Sequence, residues 1–216
     1  MLQQIGGDDG IVRIPVEAAV RHKQWGAVVA LLAAGRVQLD DISSNHSVTL
    51  LACAGGADTT RTKPMLCLIG LLLDADADLR CTNEGNETAL HIASWAGNVD
   101  VVTSLLAAAA DPTAKNRNGM TALHIAAETR NEQLVTELLA TGVSARVHDA
   151  AWSTPLHLAC RHGAVGAVKE LLESGADPDA QTIARRTPLH FTRDLAVFQQ
   201  LLMAGERPPP SPPTPF

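Results

Sequence analysis

The apolar positions of this chain come in short amphipathic bursts separated by polar and glycine-containing breaks. Val165, Val168, Leu171 and Leu172 share one face of a helix, spaced i, i+3 and i+6/i+7 as a 3.6-residue turn requires. The pattern returns at Val99, Val102, Leu105 and Leu106, and again at Val135, Leu138 and Leu139. A shorter apolar run precedes each burst. Thr154-Pro155-Leu156-His157-Leu158-Ala159-Cys160 begins one such helix, and Gly163 breaks it; Gly97 plays the same part before Val99. Gly142 and Gly175 stand where a helix C-terminus favours positive φ, and Asp177-Pro178 leads into an extended segment. The predicted unit is two short helices, a turn between them, and an extended connection.

Thr88-Ala89-Leu90-His91, Thr121-Ala122-Leu123-His124, Thr154-Pro155-Leu156-His157 and Thr187-Pro188-Leu189-His190 recur every 33 residues without slippage. A fixed period of this size marks a stacked-repeat architecture. Period and tetrapeptide together resemble the ankyrin repeat, over roughly residues 10 to 205. The resemblance implies an all-α solenoid of about six helix–turn–helix repeats carrying short β-hairpin fingers. Repeats are expected to start near residues 14, 47, 88, 121, 154 and 187, with an insertion near 55–64 between the helices of the second. In that second unit Leu51, Ala52 and Cys53 match Leu158, Ala159 and Cys160. The first unit runs from Ile14 through Trp25, Val28, Leu31 and Leu32 to Gly35 but lacks the Thr and His. The last loses about three residues before Leu201-Leu202, and degenerate ends suit a stack whose terminal units have one face to water. Residues 1–9 read as a flexible terminus. Residues 206–216 read as a proline-rich tail, extended or disordered, with Pro208, Pro209, Pro210, Pro212, Pro213 and Pro215.

Two departures carry a physical consequence. The helix-end glycine is Asp76 in the second repeat and Ala109 in the third, and Ala at positive φ costs on the order of 1 kcal/mol. Glu132 takes the slot that holds Trp25, Val99 and Val165 elsewhere. The middle of the stack is therefore expected to be locally less stable than its neighbours.

Composition narrows the class. Hydrophobic residues make up 46% of the chain and aromatics 3%, with no Tyr, so the core is built from Ala, Leu and Val in thin, closely packed helices. A net charge of −6 argues against a general nucleic-acid binder, which needs a basic face. No apolar run approaches a membrane span, and the N-terminus lacks the cationic start and apolar stretch of a secretion signal. The expectation is a cytoplasmic or nuclear protein with reduced thiols, monomeric alone.

Candidate chemistry is sparse. Four periodic histidines invite a metal reading, but stacked helices sit about 8–10 Å apart while a zinc–nitrogen bond is about 2 Å. The resemblance implies instead that His91, His124, His157 and His190 stabilise the turn by hydrogen bonds within and between repeats. Asp74, Asp76 and Asp78 alternate like the start of a calcium loop, yet Leu79 and Gly85 fail its sixth and twelfth positions. Cys53 and Cys160 share a small core slot about 30 Å apart along the stack, too far to bridge. Cys67 and Cys81 have no such assignment. No phosphate loop, nucleophile elbow or HExxH motif is present, so no catalytic residue, metal or cofactor is assigned.

The resemblance implies that function sits on the concave face, where partners meet the fingertips and the exposed side of each first helix. Carried over, those slots are Glu84, Glu87, Trp95, Arg117, Met120, Glu128, Thr129, Ala150, Trp152, Ser153, Arg161, His162 and Arg186, with Arg21 and His22 in the first repeat. Trp95 and Trp152 are either binding anchors or packing against the adjacent repeat. Glu84 and Glu87 lie toward the middle, whereas Arg161, His162, Arg185, Arg186 and Arg193 lie toward the C-terminal end. In the tail, Arg207, Pro210 and Pro213 have the spacing of a basic-first proline ligand, a pattern common by chance. The insertion is a contact loop or a tolerated excursion. The reading is a non-enzymatic protein–protein interaction module, an adaptor or inhibitor. Its alternatives are a regulatory or targeting subunit of an enzyme complex, and a structural component of a cytoskeletal or other large assembly.

Overall fold

A computed structural model describes residues 66, 67, 69, 70, 72, 73 and 78–205. After helical residues at 66, 67, 69, 70, 72 and 73, the elements are α1 (Ala89–Ala96), α2 (Val99–Ala107), α3 (Ala122–Glu128), α4 (Glu132–Ala140), α5 (Pro155–His162), α6 (Val165–Glu173), a 3₁₀ turn at Pro188–His190 and α7 (Leu195–Gly205). The repeat starts expected near 14 and 47, the 55–64 insertion and the tail at 206–216 lie outside the described residues.

Local chemistry explains each helix boundary. Thr88, Thr121 and Thr154 take extended backbone at the N-caps of α1, α3 and α5, and Pro155 supplies a pre-set φ at the start of α5. Gly97 and Gly163 close α1 and α5 in the left-handed conformation, with φ of 69° and 65°. Arg130 does the same after α3 at φ 60°, a second non-glycine cost in the middle of the stack beside Ala109 at φ 65°. The side chains of Asn98 and Asn131 cap α2 and α4, accepting from Val101 N at 3.2 Å and Leu134 N at 3.0 Å. The N-cap of α6 is Ala164, which has no side-chain oxygen to offer.

The helices form two layers. First helices α1, α3 and α5 pack side by side, and second helices α2, α4 and α6 stack behind them. The apolar period shows directly in the core: Leu90, Leu123 and Leu156 hold one slot, and Leu105, Leu138 and Leu171 another, all buried. Removing each such leucine from water contributes roughly 1.5–3 kcal/mol. Ser94, Ala127 and Cys160 share a small buried slot where close approach of the helices leaves no room for more. Burial alone pushes the Cys160 thiol up to about 12.

Two expectations need correction. Among the described residues no segment is a strand: each finger is a five-residue turn, too short for a ladder of paired bonds. The first helix of the last repeat has also shrunk to the 3₁₀ turn at Pro188–His190, before α7, whose Leu195, Phe198, Leu202 and Met203 are exposed.

Candidate partner-binding face

The fingers are held by one side chain each, repeated every 33 residues. The Asn83 Oδ1 accepts from the N–H of Gly85 at 2.8 Å and of Glu87 at 3.0 Å. Asn116 accepts likewise from Asn118 and Met120, both at 3.0 Å, and the Asp149 carboxylate from Ala151 and Ser153, both at 2.8 Å. In the last finger the Thr182 hydroxyl accepts from Arg186 N at 3.2 Å. One backbone bond joins each finger to the next: Arg117 N to Gly85 O at 2.8 Å, Ala150 N to Asn118 O at 3.0 Å, and Ile183 N to Ala151 O at 3.1 Å. Every finger turns through a residue at positive φ, namely Asn86 (56°), Gly119 (75°), Trp152 (59°) and Arg185 (55°). Gly119 is needed twice over, since a β-carbon there would lie 2.7 Å from Ala150 N.

Behind the fingers run the histidines. In each tetrapeptide the Thr backbone N–H donates to His Nδ1, and the Thr hydroxyl lies 2.8–3.0 Å from the same nitrogen. The Nε2 then reaches one repeat onward, to the carbonyl of Met120 from His91 (3.0 Å), of Ser153 from His124 (3.1 Å) and of Arg186 from His157 (3.0 Å). These bonds fit a neutral ring protonated on Nε2. Burial holds all three imidazoles below their ordinary value and outweighs the carbonyls that favour the cation. His124, the deepest, is pulled down to about 4. His190 keeps its Thr187 bond at the exposed end. The histidine ladder is thus a set of staples between fingers, and its nitrogens are occupied by backbone.

Two expected contact positions are not at the surface. Met120 and Ser153 are buried, whereas Arg186, whose carbonyl serves His157 in the same way, is exposed in the last finger. The Ser153 hydroxyl finds no protein partner there. Other expected positions do reach solvent. Glu84 is exposed and its carbonyl accepts from the exposed Arg117 guanidinium, while Glu87 is half-buried and accepts from Asn83 Nδ2 at 2.8 Å. Trp95, Glu128 and Arg161 share one slot on α1, α3 and α5 and form a row down the inner layer. Trp95 is 43% exposed. His162 lies 4.0 Å from the Glu128 carboxylate, and the Arg161 guanidinium stands over the Phe191 ring, 5.0 Å from its centre. Thr129 is half-buried and its hydroxyl donates to Ile125 O at 2.9 Å; Ala150 and Arg186 are exposed. Arg21, His22, Arg207, Pro210 and Pro213 lie outside the described residues.

The two fingertips nearest the C-terminal end bear the most exposed large apolar groups on this face. Trp152 is 58% exposed and stacks on His148, with ring centres 4.9 Å apart and planes inclined by 17°. Ile183 is 69% exposed. Sequence reasoning passed over Ile183, although it fills the same finger slot as Glu84, Arg117 and Ala150. Its period marked the slot.

Residues 110–182 match a family model described as ankyrin repeats (3 copies), and residues 72–126 match one described as ankyrin repeats (many copies). No curated protein matches the chain.

Proposed function

We propose that this chain, which belongs to the ankyrin-repeat family, is a non-enzymatic adaptor or inhibitor that binds a partner protein through its concave face. Ankyrin repeats generally mediate protein–protein interactions. The observation that carries the reading is the contrast between backbone and side chain on this face. The fingers' own polar groups are consumed by turn bonds, finger-to-finger bonds and histidine staples, whereas Trp95, Trp152, Arg161 and Arg186 project into solvent. Trp and Arg are the residue types that most often dominate binding energy at interfaces. Among the described residues no helix is long and apolar enough to cross a membrane.

The test is affinity capture with quantitative mass spectrometry on three baits: the intact chain, a truncation after Gly205, and Trp95→Ala combined with Arg161→Glu. Partners lost from the double variant and kept by the truncation support binding through the concave face. Partners lost only from the truncation would sink it and move function to the proline-rich tail.

A further inference from the structure

We infer that the segment this face binds is an acidic peptide with an apolar side chain, docked across the fingertips at residues 149–153 and 182–186 with Trp152 as its anchor. The inference rests on the concave-face reading above and adds the chemistry of the partner.

The first argument is backbone strain. Trp152 sits at φ 59°, a conformation open to Gly119 in the finger before it but unfavourable for a bulky side chain. Such residues persist where the surroundings over-determine them, and they cluster at functional sites. Here the surroundings are explicit. The Asp149 carboxylate grips the N–H groups on either side of Trp152, each at 2.8 Å, and His148 lies flat against the indole. The ring is held in one orientation and remains 58% exposed. A packing role would bury it. An anchor has to be rigid and open, because a side chain ordered before binding loses less entropy on binding.

The second argument is what surrounds the anchor. The N–H of Ile183 bonds Ala151 O, which sets that exposed apolar side chain on the finger beside Trp152. Arg185 and Arg186 follow on the same finger, and the exposed Arg161 of α5 stands over Phe191. Among the described residues none of these three arginines has a carboxylate within ion-pair distance. The carboxylates of Asp149 and Asp194 are oriented by backbone N–H groups, and that of Glu128 lies beside His162. A chain of net charge −6 thus presents arginines without an ion-pair partner on the finger that bears its most exposed apolar tip. Carboxylates flanking an apolar residue complement that pattern, and a basic segment does not. Nucleic acid is the weaker fit, because single strands are held by several stacking rings in a basic groove and this surface offers one.

The test uses the full chain, whose three tryptophans give three indole N–H signals assignable by Trp→Phe variants. The probe is an eight-residue peptide with Leu-Phe between two Asp-Glu-Asp flanks. Its controls are the same peptide with Lys-Arg-Lys flanks, and a single-stranded ten-nucleotide oligothymidine. The acidic peptide is expected to shift the Trp152 indole and the amides of 149–153 and 182–186, with affinity falling as salt is raised. Arg185→Glu with Arg186→Glu should weaken it by about tenfold or more. Trp152→Gly should weaken it by a similar factor, about tenfold, while the melting temperature holds or rises, because glycine relieves the positive φ. A structural Trp152 predicts the reverse: a lowered melting temperature with binding retained. The inference is overturned by that result, by silence of the acidic peptide up to about 1 mM, or by stronger shifts from the oligonucleotide. If the Lys-Arg-Lys peptide instead moves Trp95 and α5, the partner class is wrong while the concave-face reading stands. If no probe moves the face and captured partners survive Trp95→Ala with Arg161→Glu, both readings fall.

Discussion

The Glu132 carboxylate from α4 lies directly over Gly166 in the first turn of α6, so that a β-carbon on Gly166 would fall 1.9 Å from Glu132 Oε2. This explains why a charged residue tolerates the slot that holds Val99 and Val165 in the flanking repeats. The next repeat offers no side chain at the contact point. The α6 N-terminus also lacks an oxygen cap of its own, and a carboxylate near a helix N-terminus is favourable by roughly 0.3–1 kcal/mol.

The contact at Gly166 is with the far end of an exposed, flexible side chain, so it yields easily. Gly166→Ala should be neutral or stabilising by up to about 1 kcal/mol, as helix propensity gained offsets the displaced carboxylate. Gly119→Ala should go the other way by about 2 kcal/mol, since it combines positive φ with a backbone neighbour that cannot move aside. Urea unfolding of the two variants checks both signs. Equal effects would refute the distinction between side-chain and backbone obstruction.

Acid should weaken the stack before its carboxylates titrate. His91, His124 and His157 have folded values below the ordinary 6.5, so the unfolded chain takes up protons that the folded chain refuses. Their contribution is complete above pH 6.5 and is lost as pH falls toward the folded values. For His124, at about 4, the full loss amounts to roughly 3 kcal/mol. Urea midpoints measured from pH 7.5 to 4.5 should hold to about pH 6.5 and fall below it. A flat profile over that range would contradict neutral, buried staples.

Ala109 and Arg130 both sit at positive φ without a glycine's freedom. Ala109→Gly and Arg130→Gly should each stabilise by about 1 kcal/mol and slow amide exchange in α2 and α4. If neither raises the unfolding midpoint, the expected local weakness does not come from positive φ at these two positions.

Asp149 holds the finger that carries Trp152. Asp149→Ala removes two hydrogen bonds of 2.8 Å, and should cost about 1 kcal/mol while accelerating amide exchange at residues 150–153. The fold should persist, and the Trp152 indole signal should broaden or move toward that of an unrestrained ring. An unchanged indole signal would mean that the His148 stack alone fixes the side chain.

The period of 33 made much of this legible in advance: the alternation of first and second helices, the leucine slots, and the helix-closing Gly97 and Gly163; the resemblance to ankyrin repeats added that each histidine ties one repeat to the next. These follow from sequence because each depends on a residue type recurring at a fixed place in a repeating backbone. Other features depend on what the neighbouring repeat brings, and only the tertiary structure decided them. Met120 and Ser153 look like exposed fingertips in one repeat, yet are buried in the stack, while Arg186 in the same slot is exposed. Ile183 stands in solvent because its slot does. Trp152 reads only as a large residue in a glycine slot. Its positive φ, its stack on His148 and the carboxylate gripping its turn come from three-dimensional packing around one strained residue, which periodicity cannot encode.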